Sequence, residues 1–139
     1  MADRMFTVDI VTPDRVVLSD RAAYLQAPGV CGSFGILSNH SPLLSELAIG
    51  ELRYRKESGQ EVRLALNGGF LQVFDNHVTV LADSAERAEE IDLERARLAR
   101  ERYRKELQDL AGAFSDPRHE AAQAGVDRAQ NRLRVAGER

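Results

Sequence analysis

Residues 91–102 read Ile-Asp-Leu-Glu-Arg-Ala-Arg-Leu-Ala-Arg-Glu-Arg, and four of these twelve are arginine. A guanidinium is planar, always charged and able to meet phosphate oxygens two at a time. On an ideal helix Arg95 and Arg102 are seven residues apart and project about 20° from each other. Ala96 leaves space beside Arg95, while Arg97, Arg100 and Arg104 read as the solvated face of the same helix. Further on, Arg128 and Arg132 are i, i+4 neighbours, and each immediately precedes an apolar residue. Were the two segments antiparallel helices, these four arginines and Asp92 would meet over one small area. The chemistry of such a group is anion binding: the arginines on a phosphate chain, Asp92 accepting from a base or ribose group. A second reading is a neutral network, with Glu94, Glu101, Glu106 and Asp127 pairing the arginines at little net gain. Spacing alone leaves both open.

Other candidates carry less. His40, His77 and His119 have no second His or Cys at ligand spacing, so no metal site is expected. Ser38, His40 and Ser41 lie in "SNHSPLL", which lacks a nucleophile elbow and an assigned acid and reads as a turn or an exposed contact loop. Cys31 is the one cysteine, so no internal disulfide is possible, in keeping with a reducing compartment. The glycine pair in "NGGF" (67–70) lacks the lysine and helix of a phosphate loop and reads as a bulge or tight corner.

Two halves must position these residues. Residues 5–82 alternate in period two: Phe6, Val8 and Ile10 share one strand face, Thr7 and Asp9 the other. Turn signals at Pro13-Asp14, Pro28-Gly29, Ser41-Pro42, Ser58-Gly59 and Asp75-Asn76 divide the region into short strands. "LRYRKESGQEVRLAL" and "FLQVFDNHVTVLA" read as antiparallel hairpins. From about residue 85 strong helix formers dominate. Asp92 is placed to cap a helix whose apolar seam is Ala96, Ala99, Tyr103, Leu107 and Leu110, ended by Gly112. Asp116-Pro117 starts a second helix, with the seam Ala122, Val126, Ala129, Leu133 and Ala136. The expectation is an α+β protein: an antiparallel β-sandwich of about ten short strands over residues 1–87, then an antiparallel helical hairpin over 88–139. The hairpin seams are alanine-rich, so its packing should be marginal and the element mobile.

The chain has 139 residues and a formal net charge of −3. Residues 86–139 carry twelve acids and twelve bases. A phosphate backbone demands a net positive face, so nucleic acid is not an expected partner. No apolar run reaches the roughly 18 residues that a membrane span needs. The N-terminus lacks a signal-peptide pattern, so a cytoplasmic location is expected. A stand-alone nucleotide-binding regulatory module is one reading that these features allow.

In "VDIVTPDRVV", "GSFGILSNHSPLL" (32–44), "LNGGFLQV" (66–73), "VTVLADSAER" (78–87), "EEIDLERARLARER" (89–102) and "RAQNRLRVA" (128–136), taken in this order and spacing, the chain resembles the ε subunit of bacterial F-type ATP synthase, the counterpart of the mitochondrial δ subunit. The resemblance implies a non-catalytic central-stalk subunit of a proton-translocating complex, peripheral at the cytoplasmic face of the plasma membrane and attached to the membrane only through the complex. Its sandwich is implied to bind the γ subunit and the rotor ring, with His40 and Ser33 toward the ring; many family members carry an acid where Ser33 stands. The hairpin is implied to inhibit ATP hydrolysis when extended into the catalytic α/β head. ATP is implied as a regulatory ligand of the compact hairpin, through the motif Ile91-Asp92-Leu93-Glu94-Arg95-Ala96 together with Glu86, Arg102, Arg128 and Arg132. No other cofactor and no catalytic residue is implied.

Overall fold

The structure, a computed structural model, describes residues 4–137. It divides into two compact units, Met1–Arg87 and Ala88–Arg139. The first holds eight strands: β1 (Phe6–Val11), β2 (Val16–Ala22), β3 (Tyr24–Gly29), β4 (Gly32–Leu37), β5 (Leu43–Arg55), β6 (Glu61–Phe74), β7 (His77–Ala82) and β8 (Ala85–Arg87). They run in the order β2-β1-β7-β6-β5-β3-β4, with β8 beside β6.

The sandwich and the hairpin are as expected, but the strand count is eight rather than about ten. Segments that read as separate strands join into the long β5 and β6. Both change their inward face midway. In β6 Leu64 and Leu66 are buried, then Leu71 and Val73; in β5 the buried set passes from Leu47 to Leu52 and Tyr54. A period of two cannot make that change without a bend. The β5–β6 register stays continuous across it, from Arg55 opposite Glu61 to Leu43 opposite Val73. The glycine pair is therefore a corner and not a bulge. Gly68 and Gly69 take φ of +92° and +127°. Before the corner β6 pairs with β8, and after it with β7. One hairpin thus serves both layers, as strands that turn a sandwich corner do.

The sheet is also not wholly antiparallel, because β1 pairs with β7 in parallel. Local patterning sets strands but not the direction of distant partners. The core between the layers includes Phe6, Ile10, Leu25, Ile36, Leu52, Leu64, Val78 and Val80. Tyr54 is buried with them, and its hydroxyl donates to Asp20 Oδ2 at 2.7 Å, giving the buried phenol the partner it needs. Asp75 and Asn76, at φ of 50° and 60°, form the two-residue turn between β6 and β7. Both positive φ values are what a tight hairpin of this length demands. Asn76 then ties three segments. Its Nδ2 donates to Met5 O, its Oδ1 accepts from Asn39 N, and its carbonyl accepts from Thr7 N.

In the second unit, a 3-10 turn at Ala88–Glu90 leads to α1 (Leu93–Asp109), and α2 spans Pro117–Val135. Asp92 caps α1, with Oδ1 accepting from Arg95 N at 3.1 Å. Asp116 caps α2 the same way through Arg118 N, with Pro117 at the first helical position. The Arg118 side chain also binds Asp116, and these bonds hold the Asp116 carboxyl at about 2. The α2 seam is buried at Ala122, Val126, Ala129 and Leu133, and Ala136 serves as its C-cap. On α1 only Ala96 is fully buried, while Ala99, Tyr103, Leu107 and Leu110 are half-buried.

A Cβ built on Gly69 falls 2.1 Å from Leu81 O, and its φ is one that side-chain-bearing residues rarely adopt. Gly59 has a similar φ of +91° but open space around it. Gly69→Ala is expected to cost about 2 kcal/mol or more in urea unfolding, and Gly59→Ala clearly less. Equal losses would remove the corner as the cause.

Candidate functional site

The hairpin register follows from one contact. A Cβ on Gly125 would lie 2.5 Å from ring atoms of Tyr103, so this ring rests on the α2 backbone at Gly125. Antiparallel helices rise equally from that point, about 1.5 Å per residue. Arg95 is then level with Leu133, beside Arg132, and Arg102 is within about 3 Å of the level of Arg128. Each helix turns about 100° per residue, which puts Arg95 and Arg102 on one flank of the α1 seam and Arg97 and Arg104 on the other. The flank of α2 that adjoins Arg95 and Arg102 is the one carrying Arg128 and Arg132. Four arginines therefore share one side of the hairpin. Arg95 and Arg102 are exposed, while Arg128 and Arg132 are half-buried.

The acids do not follow them. Glu94 pairs with Arg97 and Glu101 with Arg104, each at 3.7 Å and on the opposite flank. Asp127 accepts from Gln123 at 3.0 Å. Among the described residues, Arg95, Arg102 and Arg128 meet no carboxylate. Arg102 instead lies over the Tyr103 ring, 4.6 Å from its centroid. Ala96 is fully buried, Ile91 nearly so, and Asp92 is exposed at its cap. Glu86 is half-buried on β8 in the first unit, whereas the other seven residues of the set belong to the second. Arg100 corrects one expectation. It reads with Arg97 and Arg104 as part of a solvated face, yet it is half-buried and its Nε is sealed from water without an acceptor. It lies one turn on from Ala96 and so borders the seam.

In the sandwich, Ser33 is the second residue of β4 and His40 lies past a turn after its end, with roughly 13 Å of extended strand between Ser33 and that turn. His40 is half-buried; its Nδ1 lies 2.7 Å from Ser41 O, and its amide donates to Leu37 O. Cys31 is exposed. Ser19, Asp9 and His77 form a linked trio across β2, β1 and β7 that is not apparent in the sequence, where the residues are far apart. Asp9 stands in its centre. A nucleophilic relay needs the histidine there, so the trio is a cross-strand tie. Among the described residues no group of three metal-ligating side chains gathers.

The sequence profile of the ATP synthase Delta/Epsilon chain β-sandwich domain matches residues 5–88. The chain belongs to this family. The ATP synthase epsilon chain of Anaeromyxobacter sp. (strain K) is 50% identical over 131 residues, covering 94% of this chain and 97% of that one. The epsilon chain of Nitratidesulfovibrio vulgaris (strain DP4) is 47% identical over 135 residues, covering 97% and 98%. These alignments extend through the hairpin, beyond the profile. In fold, the chain is similar to one in the Euglena gracilis mitochondrial ATP synthase OSCP/F1/c-ring assembly, with a TM-score of 0.80, 24% identity, and coverage of 95% of this chain and 81% of that one. As a member of the ATP synthase epsilon chain family, the protein is a non-catalytic subunit.

The trio across β2, β1 and β7 bears on stability. The hydrogen bond from Ser19 lowers the Asp9 pKa, burial opposes it, and the bond and charge of His77 lower it further. A carboxyl lowered on folding stabilises the fold above its unfolded pKa, and that contribution is lost as pH falls through the folded value. Asp9→Asn is expected to unfold at lower denaturant concentration than the parent at pH 7, with the gap closing below about pH 4. A gap that is constant from pH 7 to pH 3 would show that the Asp9 charge contributes nothing.

Proposed function

We propose that the chain is the ε subunit in the central stalk of a proton-translocating F-type ATP synthase, peripheral at the cytoplasmic face of a bacterial plasma membrane. Its sandwich binds the γ subunit and the rotor ring, His40 and Ser33 being the ring-facing residues, and couples the ring to the catalytic α/β head. Its hairpin is regulatory. Compact, it permits rotation; extended into the head, it inhibits ATP hydrolysis. ATP holds the compact state. Family membership supports the stalk role, and the likeness in fold to a chain of an ATP synthase assembly agrees with it.

One observation carries the ATP reading. Among the described residues, Arg95, Arg102 and Arg128 lie on one side of the hairpin without a carboxylate, while Glu94 and Glu101 serve the other flank. Unneutralised guanidiniums repel one another, which works against an alanine-rich seam. A triphosphate removes that repulsion and adds charge-assisted bonds. Asp92 then accepts from the ribose or the base, and Ala96 keeps α1 close to α2. Because ATP binds only the paired helices well, it shifts the population toward them. At a hundred times its dissociation constant a ligand of this kind adds about 2.7 kcal/mol. That is enough to decide the state of so lean a hairpin.

Calorimetry on the full chain is expected to show ATP binding, weakened roughly tenfold or more by Arg95→Ala or Arg128→Ala. No binding at millimolar ATP would sink the regulatory site and leave the stalk role standing. In a reconstituted catalytic head, a truncation ending at Glu90 is expected to hydrolyse ATP faster than the full chain does. Equal rates would mean that the hairpin does not inhibit.

A further inference from the structure

Gly125 is an anomaly in the middle of α2, because an interior glycine costs a helix about 1 kcal/mol relative to alanine. The structure shows what it admits. The three atoms nearest to a Cβ at this position belong to the Tyr103 ring, at 2.5–2.7 Å and at the base of the ring rather than its tip. A methyl group here would unseat Tyr103. The glycine thus trades helix propensity for the one aromatic seat in an alanine-rich seam.

The seated ring has a second neighbour. The Arg102 guanidinium lies over it, 4.6 Å from the centroid. Adjacent helix residues diverge by about 100°, so nothing local forces this pairing. The ring face attracts the cation and restricts an otherwise mobile side chain. Arg102 is exposed and meets no carboxylate, so among the described residues the ring is its one specific contact.

We propose that Tyr103 is a positioning residue for the anion site: its ring, seated on Gly125 of the facing helix, holds Arg102 in place, so that Arg102 is arranged for the ligand only when α1 and α2 are paired. This rests on the ATP reading above and adds a mechanism for it. Separating the helices removes the seat, the ring turns freely, and Arg102 loses its support. The site thereby senses the state of the hairpin through one side chain. Tyr103 itself touches no ligand in this scheme.

The test uses the full chain with Tyr103→Phe, which keeps the π face, and Tyr103→Leu, which keeps apolar bulk without it. In ligand-free protein, NMR of the Arg102 side chain is expected to show upfield ring-current shifts in the parent and in Tyr103→Phe, lost in Tyr103→Leu and in Gly125→Ala. ATP affinity is expected to be unchanged in Tyr103→Phe and to fall roughly three- to fivefold in Tyr103→Leu. In an Arg102→Ala background the Phe and Leu variants are expected to bind ATP equally. That non-additivity is one that a merely structural Tyr103 does not produce. Arg102 shifts at random-coil values in the parent would overturn the proposal, as would equal losses from Tyr103→Leu with and without Arg102. Should the parent bind no ATP while the Arg102 shifts persist, the ATP reading fails, and the positioning role with it, although the ring contact stands. Should Gly125→Ala unpair the helices altogether, the Phe–Leu comparison still decides.

Discussion

The seam between α1 and α2 is narrow, and the second unit depends on it. Its fully buried members are Ala96, Ala122, Val126, Ala129 and Leu133, with Tyr103 resting on Gly125. Small residues let two helices approach closely but remove little apolar area from water, and stabilisation scales with that area. Such a pair holds with little margin. On one side of it, three guanidiniums that meet no carboxylate among the described residues reduce the margin further. A seam this lean can be tipped by a single ligand or partner, which is the physical requirement for a switch.

The first unit is built in the opposite way. Leu25, Leu52, Leu64, Leu66, Leu71, Val78 and Val80 are among many large side chains with no more than traces of exposure. Two strands cross from one layer to the other at the glycine corner, so neither layer can shift without the other. Asn76 locks the β6–β7 turn to the start of β1 and to the loop before His40. The contrast is one of packing: large side chains fill the first unit, and mainly small ones line the seam of the second.

Much of this was legible in the sequence because it is local. Alternation marked β1 and β7, and the residues of the Asp75-Asn76 turn are those its positive φ values require. Asp92 and Asp116-Pro117 marked the helix starts to the residue. The arginine spacing placed Arg95 with Arg102 on one flank. What was missed is non-local. The continuity of β5 and β6 through Gly68-Gly69, the parallel partner of β1, and the trio of Ser19, Asp9 and His77 all depend on segments brought together from far apart. Arg100 was misplaced because charge was taken as a sign of exposure, whereas its place one turn after Ala96 sets it against the seam. Gly125 did leave a signal, a glycine within a helical pattern, but its meaning needed the aromatic ring opposite.

The sequence by itself determined the two-part architecture, the helix caps and the positions of the arginines, since periodicity and capping act over a few residues. The tertiary structure decided what becomes of the arginines that helix spacing leaves over. Glu94 and Glu101 pair at i, i+3 with Arg97 and Arg104, as helix geometry alone provides. Arg102 turns to an aromatic ring seated on the other helix. A side chain with no partner at helical spacing settles by the space and field around it, and those exist only once the helices have packed.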